Sequence, residues 1–231
     1  MESEIRPGRF QVLPVVIKNL IIINALVWLA QITVGKDLLS IEDLFALHHF
    51  SSVHYHFWQF ITYMFLHSSD SFFHILFNMF ALWMFGSTLE NLWGPAKFLS
   101  FYLVCGLGAG LTQAIALTYD ISQYNAMFEA GQLGAAELFA LINVSTLGAS
   151  GAVMGIFAAF AYTFPNSQMI ILPIPFPIKA KWALLGLGIL DVLGGISSES
   201  TGIAHFAHLG GAAVGIIIVM IWNKRNRRDF Y

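Results

Sequence analysis

An all-α bundle of six transmembrane helices is the fold this sequence predicts, and three observations predict it. Hydrophobic residues fill 57% of the 231 positions and charged ones only 10%, against about 25% in soluble domains, whose surfaces need charge for hydration. The apolar residues gather into windows of about 20, the length that crosses a bilayer as a helix. The basic residues fall on one side of the alternating spans those windows define. A mean hydropathy of +0.71 agrees that lipid is the main solvent. The net charge of −2 leaves no basic face for nucleic acid. A lone cysteine, Cys105, excludes an intrachain disulfide.

Taken in order, the expected spans are 13–34, 72–92, 98–119, 147–164, 181–194 and 201–222. The first is longer than the roughly 7–15 apolar residues of a signal-peptide core, and no Ala-x-Ala follows it, so it is expected to be retained. Two long connections, 35–71 and 120–146, read as irregular. The loop 165–178 carries Pro165, Pro173, Pro175 and Pro177, which remove backbone donors and stop any helix there. The fifth span is the shortest. Six alternating spans put Arg6, Arg9, Lys18, Lys97, Lys179, Lys181, Lys224, Arg225, Arg227 and Arg228 on one side, which the positive-inside rule makes cytoplasmic. Only Lys36 falls on the other side, where its stem can snorkel. The long connections instead hold Asp37, Glu42, Asp43, Asp70, Asp120, Glu129 and Glu137. Tyr55, Phe57, Trp58, Phe60, Tyr63 and Phe65 place the first connection in the outer interface. The expectation is one membrane domain over 1–231, with a core of about 12–222 and a basic cytoplasmic tail at 223–231.

Polar groups at membrane depth are costly, so each needs a reason. Three sites stand out near the outer ends of spans two, four and six: His74 with Asn78, Gly148-Ala149-Ser150-Gly151, and Ala207-His208-Leu209-Gly210-Gly211 with Gly215. Ser150 lies about three residues into its span and His208 about seven, roughly 5 and 10 Å at 1.5 Å per residue. His74 and Asn78 are four apart and share a helical face. Three helices thus bring polar groups to similar depth on one side.

With these pieces, together with Glu90, Gly94 and Phe164-Pro165-Asn166, the sequence resembles the rhomboid family of intramembrane serine proteases over nearly its whole length. The resemblance implies a rhomboid-like six-helix bundle that cleaves transmembrane segments of other membrane proteins. Serine is a poor nucleophile until a base takes its proton, and His208 can accept that proton and pass it to the leaving amine. No acid stands in span six or beside Ser150 in the sequence, so the expected unit is a Ser–His dyad. The resemblance assigns oxyanion stabilisation to His74, Asn78 and the backbone N–H of Ser150. Gly148 and Gly151 permit close backbone approach, and Gly211 and Gly215 form a small-x-x-x-small face for packing span six on span four. The resemblance also implies substrate access beside span five. Neither cofactor nor metal is expected: the loop histidines His48, His49, His54, His56 and His67 form no His-Glu-x-x-His motif.

Two positions depart from the family pattern. Met154 stands where rhomboids often carry an aromatic that packs on the histidine, and sulfur can still contact the ring. Trp58-Gln59 replaces a frequent Trp-Arg pair. Packing roles account for Ser150, His208 or the His74–Asn78 pair singly, but not for their coincidence. His205 is a second base candidate without the Gly-Gly that follows His208, and is expected near the outer boundary in contact with water. Asp191 and Asp120 invite comparison with paired-aspartate proteases, but Gly186-Leu187-Gly188 is followed by Ile189 rather than Asp. Two other classes remain: an inactive rhomboid-like protein that binds membrane proteins, and a transporter or channel, which would place acids near the midplane. The absence of a targeting extension points to a bacterial cytoplasmic membrane, with both termini inside and the active site opening outward.

Overall fold

The computed structural model describes residues 10–34, 40–170, 176–197 and 203–228, with side chains to 224 in the last stretch. Arg6, Arg9, Lys36, Asp37, Pro173, Pro175 and everything after Arg228 lie outside it. The expected spans correspond to six helices: α1 (Val15–Thr33), α4 (Phe72–Trp93), α5 (Pro95–Glu129), α7 (Ser150–Thr163), α8 (Ala180–Ile196) and α9 (His205–Arg228). Four of them, α1, α4, α5 and α9, are long and apolar enough to cross a membrane, whereas α7 has 14 residues and α8 has 17. Their outer faces carry exposed apolar side chains such as Leu26, Phe77, Leu111, Leu190 and Ile217. Such a surface suits lipid and not water.

The connections are more ordered than their sequences announce. The first contains α2 (Ile41–Phe45), β1 (Leu47–His48), α3 (Gln59–Thr62) and a 3-10 turn at Tyr63–Phe65. In the second, α5 runs ten residues beyond its expected end at Tyr119, and α6 (Ala135–Ile142) and β2 (Ser145–Thr146) follow. The expected break at Asp120 is absent because residues 120–129 carry neither Gly nor Pro. Strands β1 and β2 pair antiparallel, Leu47 opposite Thr146, and tie the two connections together. The proline loop closes on a two-residue ladder, β3 (Gln168–Met169) with β4 (Ile178–Lys179). Helix α9 continues through Arg228, so most of the expected tail is helical.

Local chemistry explains how the helices start and stop. Glu90 is buried in α4, and its two carboxylate oxygens accept the backbone N–H groups of Val16 and Ile17 at 2.9 Å each. It therefore caps α1 in place of Pro14, whose side chain offers no acceptor. Gly94 ends α4 at φ +82°, a conformation that costs glycine little, and Pro95 opens α5 with its φ already set for a helix. At this end Lys97 lies 4.0 Å over the Trp222 ring, joining the start of α5 to the end of α9. The first turns of α4, α7 and α9 consequently share the opposite end. Helix α7 is the centre of the bundle, packed by α4, α5, α8 and α9. Its buried Gly151, Ala152, Gly155, Ala158, Ala159 and Ala161 keep it slender enough to be surrounded.

Candidate active site

Ser150 is the first residue of α7, not an interior one: residues 147–149 are loop rather than the expected start of span four. Its backbone N–H is therefore among the four that a helix leaves without an internal acceptor. The approach to it is fixed from two sides. The Gly148 N–H donates to the Tyr63 carbonyl at 3.0 Å, and Gly148 adopts φ +127°. A methyl group there would lie 3.1 Å from His74 Nε2 and 3.7 Å from Ser150 Oγ. Glycine is thus required both by the backbone and by the closeness of the imidazole.

His208 sits in the first turn of α9, three residues after the helix begins at His205. Its height relative to Ser150 is set by a seam in which α7 and α9 touch through backbone. A methyl on Gly151 would lie 3.4 Å from the Ala207 carbonyl oxygen, and one on Gly155 would lie 2.9 Å from the Gly211 carbonyl. On Gly211 it would overlap the Gly151 carbonyl. The residue after the serine and the residue before the histidine are therefore neighbours. Ser150, His208, His74, Asn78 and Met154 line one cavity of about 590 Å³.

The tautomer of His74 follows from its partner. The Ser68 N–H donates to His74 Nδ1 at 3.1 Å, so in the neutral ring the proton resides on Nε2. That N–H is the edge turned toward Gly148. Asn78 donates one amide N–H to the His74 carbonyl at 2.8 Å, leaving its second N–H. His67 packs edge-on against His74, with ring centroids 5.1 Å apart. Burial, then the neighbouring His74, hold its pKa down to about 3, so it presents a neutral wall beside the site.

Beside His208 lies an acid that the expected Ser–His dyad did not include. Asp191, buried on α8, accepts from His208 Nδ1 at 3.0 Å with Oδ1, and from His205 Nδ1 at 2.8 Å with the same oxygen. The sequence held a signal for this. An acid in an apolar helix needs a partner, and His205 and His208 are three apart, hence on one face of α9. No local pattern near Ser150 reveals it, because the contact joins Asp191 on one helix to His208, 17 residues later, on another. His205, expected to face water, instead shares this carboxylate while also bordering a second, more polar cavity of about 440 Å³. Glu42, Asp70, Gln113, Asp120 and His74 also line that cavity.

The first connection is held by Gln59, which stands where the family often carries arginine. Gln59 is fully buried. Its Oε1 accepts the His48 and His56 N–H groups at 3.2 and 3.1 Å, and its Nε2 donates to the Asp43 and His54 carbonyls at 3.0 and 2.8 Å. An uncharged amide satisfies at both ends what a guanidinium could satisfy only as a donor. The loop histidines are engaged locally: His48 with the Ala46 carbonyl, His49 with Thr118, and His56 stacked on Trp58 at 4.3 Å. Burial lowers the pKa of His48 and His49. Among the described residues no three His, Cys, Asp or Glu side chains converge as a metal site would require.

Known proteins resemble this chain. The Rhomboid domain family matches residues 54–225. Rhomboid protease AarA of Providencia stuartii is 31% identical over 207 residues, 87% of this chain and 69% of that protein. The human Presenilin-associated rhomboid-like protein, mitochondrial, is 31% identical over 164 residues, 68% of this chain and 38% of that protein. Rhomboid protein 1, mitochondrial, of Saccharomyces cerevisiae is 30% identical over 151 residues, 65% of this chain and 38% of its own length. The chain thus spans under half of these two mitochondrial relatives.

Proposed function

The chain belongs to the rhomboid family of integral membrane proteins, and from that premise we propose that it is an intramembrane serine endopeptidase acting on transmembrane segments of other membrane proteins. The observation that carries the reading is the single cavity shared by Ser150, His208, His74 and Asn78. Ser150 Oγ attacks the scissile carbonyl carbon while its proton passes to His208 Nε2. The oxyanion accepts from His74 Nε2–H, the free Asn78 N–H and the Ser150 backbone N–H, each donor contributing about 3 kcal/mol at best. The C–N bond breaks, His208 returns the proton to the departing amine, and water then repeats the sequence on the acyl-enzyme. The polar cavity of about 440 Å³ shares His74 and Ala204 with the reaction cavity and supports a water path.

Depth and orientation follow from length and charge. Fourteen residues of α7 extend about 21 Å at 1.5 Å per residue, short of a hydrocarbon core of roughly 30 Å. With its far end at one interface, Ser150 lies roughly 9 Å beneath the other. Lys97 and Lys181 stand at the ends of α5 and α8 remote from Ser150, so the positive-inside rule opens the site away from the cytoplasm. Six crossings, cytoplasmic termini and one membrane domain complete the reading, and a bacterial relative supports a bacterial inner membrane.

Incubation with a single-pass reporter in liposomes tests it. Wild type cleaves, and Ser150→Ala and His208→Ala each lose at least about a thousandfold in kcat. Labelling by a serine-directed fluorophosphonate disappears in Ser150→Ala. Folded wild type that neither cleaves nor labels would return the chain to the role of a non-cutting binder of membrane proteins.

A further inference from the structure

Asp191 stands apart from the residues of the proposed reaction, yet three features bind it to them. It is buried, and an ionised group in an apolar span persists only with partners. One of its oxygens receives two imidazole donors, His205 Nδ1 at 2.8 Å and His208 Nδ1 at 3.0 Å. The three side chains come from two helices, packed where Gly194 of α8 lies against the His205 ring so closely that a methyl would overlap it. Local convenience does not produce this arrangement. His205 begins α9 and could turn outward, but it turns to a carboxylate on another element.

The chemistry of a shared carboxylate is definite. A carboxylate accepts and does not donate, so it holds the His208 proton on Nδ1 and leaves the Nε2 lone pair free. An isolated imidazole has both tautomers within reach and a free ring rotation. When Nε2 takes the serine proton, the imidazolium forms beside an anion already in place. The second donor, His205, fixes the carboxylate's rotamer and occupies part of its charge, which disfavours proton transfer from His208 to Asp191.

We infer that Asp191 is a positioning residue for His208, held in place by His205, so that this chain operates a Ser150–His208–Asp191 relay braced by a second histidine. The inference rests on the protease reading for its kinetic consequence, but not for its structural one. Asp191 touches neither substrate nor the reacting atoms; it acts through the imidazole.

Two measurements test it. Nitrogen-15 spectra of histidine-labelled wild type, assigned by the signal lost in His208→Asn, report the His208 tautomer directly. The expected form carries the proton on Nδ1. An Nε2–H form in folded wild type overturns the inference, whatever any variant does and whether or not the protein cleaves. In the reporter assay, Asp191→Asn is expected to lower kcat tenfold to a thousandfold with KM within about twofold, Asp191→Glu to recover part of the loss, and His205→Phe to cost less than Asp191→Asn. A folded Asp191→Asn with kcat within threefold of wild type overturns it too. Failure of wild type itself to cleave sinks the protease reading and leaves the tautomer result standing.

Discussion

Helix α9 meets its two neighbours in opposite ways. Against α7 the contact is backbone on backbone: Gly151, Gly155, Gly211 and Gly215 bring carbonyls to where side chains would stand. Against α8 the contact is made by side chains near one end, Asp191 with His205 and His208, and Gly195 under the Phe206 ring. Further along α8, Gly186 has nothing within 4 Å of where its side chain would be. The first contact fixes where the proposed base stands; the second fixes only which way its ring points. A seam of glycines has no rotamers to rearrange, so it holds Ser150 and His208 at matched heights. A hydrogen-bonded carboxylate can release and re-form without repacking the bundle.

Breaking the seam has the largest expected effect. In Gly211→Val the new side chain runs into the Gly151 carbonyl, which no rotamer avoids because the obstacle is backbone. The cost exceeds about 3 kcal/mol, at the upper end for overpacking, and lowers the unfolding midpoint by roughly 10 °C for a chain of this size. Any protein that folds cleaves the reporter at least about a hundredfold more slowly, since α7 and α9 must separate and carry the two groups apart. Scanning fluorimetry in detergent alongside the cleavage assay reads both. Wild-type stability in Gly211→Val would mean the seam is looser than its geometry.

The same contrast explains what was legible in the sequence. Gly211, Gly215 and Ser150 advertise themselves because small residues at helical spacing and a serine at a span's edge are local patterns. The helical bundle was legible for the same reason, from hydrophobic windows alone. Asp191 was not, since its meaning depends on two histidines across a helix–helix contact. Gln59 misled in the opposite direction. Read against a pair containing arginine it looks like a lost anchor, yet its amide both donates and accepts and ties together the backbone of four loop residues. The extra length of α5 is not legible from hydropathy either: polar residues from Ser122 to Asn125 look like a loop, although nothing in them stops a helix.

A change at the α8 contact should act on rate more than on stability. In Gly194→Ala the added methyl falls on the His205 ring, which can yield by rotating away from Asp191. Loss of one hydrogen bond to a carboxylate costs about 1.5–3 kcal/mol, and the alanine returns roughly 1 kcal/mol in helix propensity, so the midpoint falls by only a few degrees. The expected signature is a kcat lower by about fivefold with KM unchanged, since the carboxylate loses one of its two restraints. A large fall in midpoint with kcat intact would instead make this end of α8 a structural joint.

The smallest expected effect separates packing from access. Gly186 is exposed on α8 with open space before it. Alanine there meets no neighbour within the chain and gains about 0.8–1 kcal/mol of helix propensity. The midpoint should stay level or rise by roughly 2–3 °C, with the rate on a small soluble ester unchanged. The transmembrane reporter is the sharper probe. If α8 is only the weakly held side of the bundle, KM for the reporter also stays within about twofold. A KM raised severalfold, with the ester rate and midpoint untouched, would mean the glycine face is kept bare for a second helix to lie against. The looseness of α8 would then belong to substrate docking, and the firmness of α7 and α9 to chemistry.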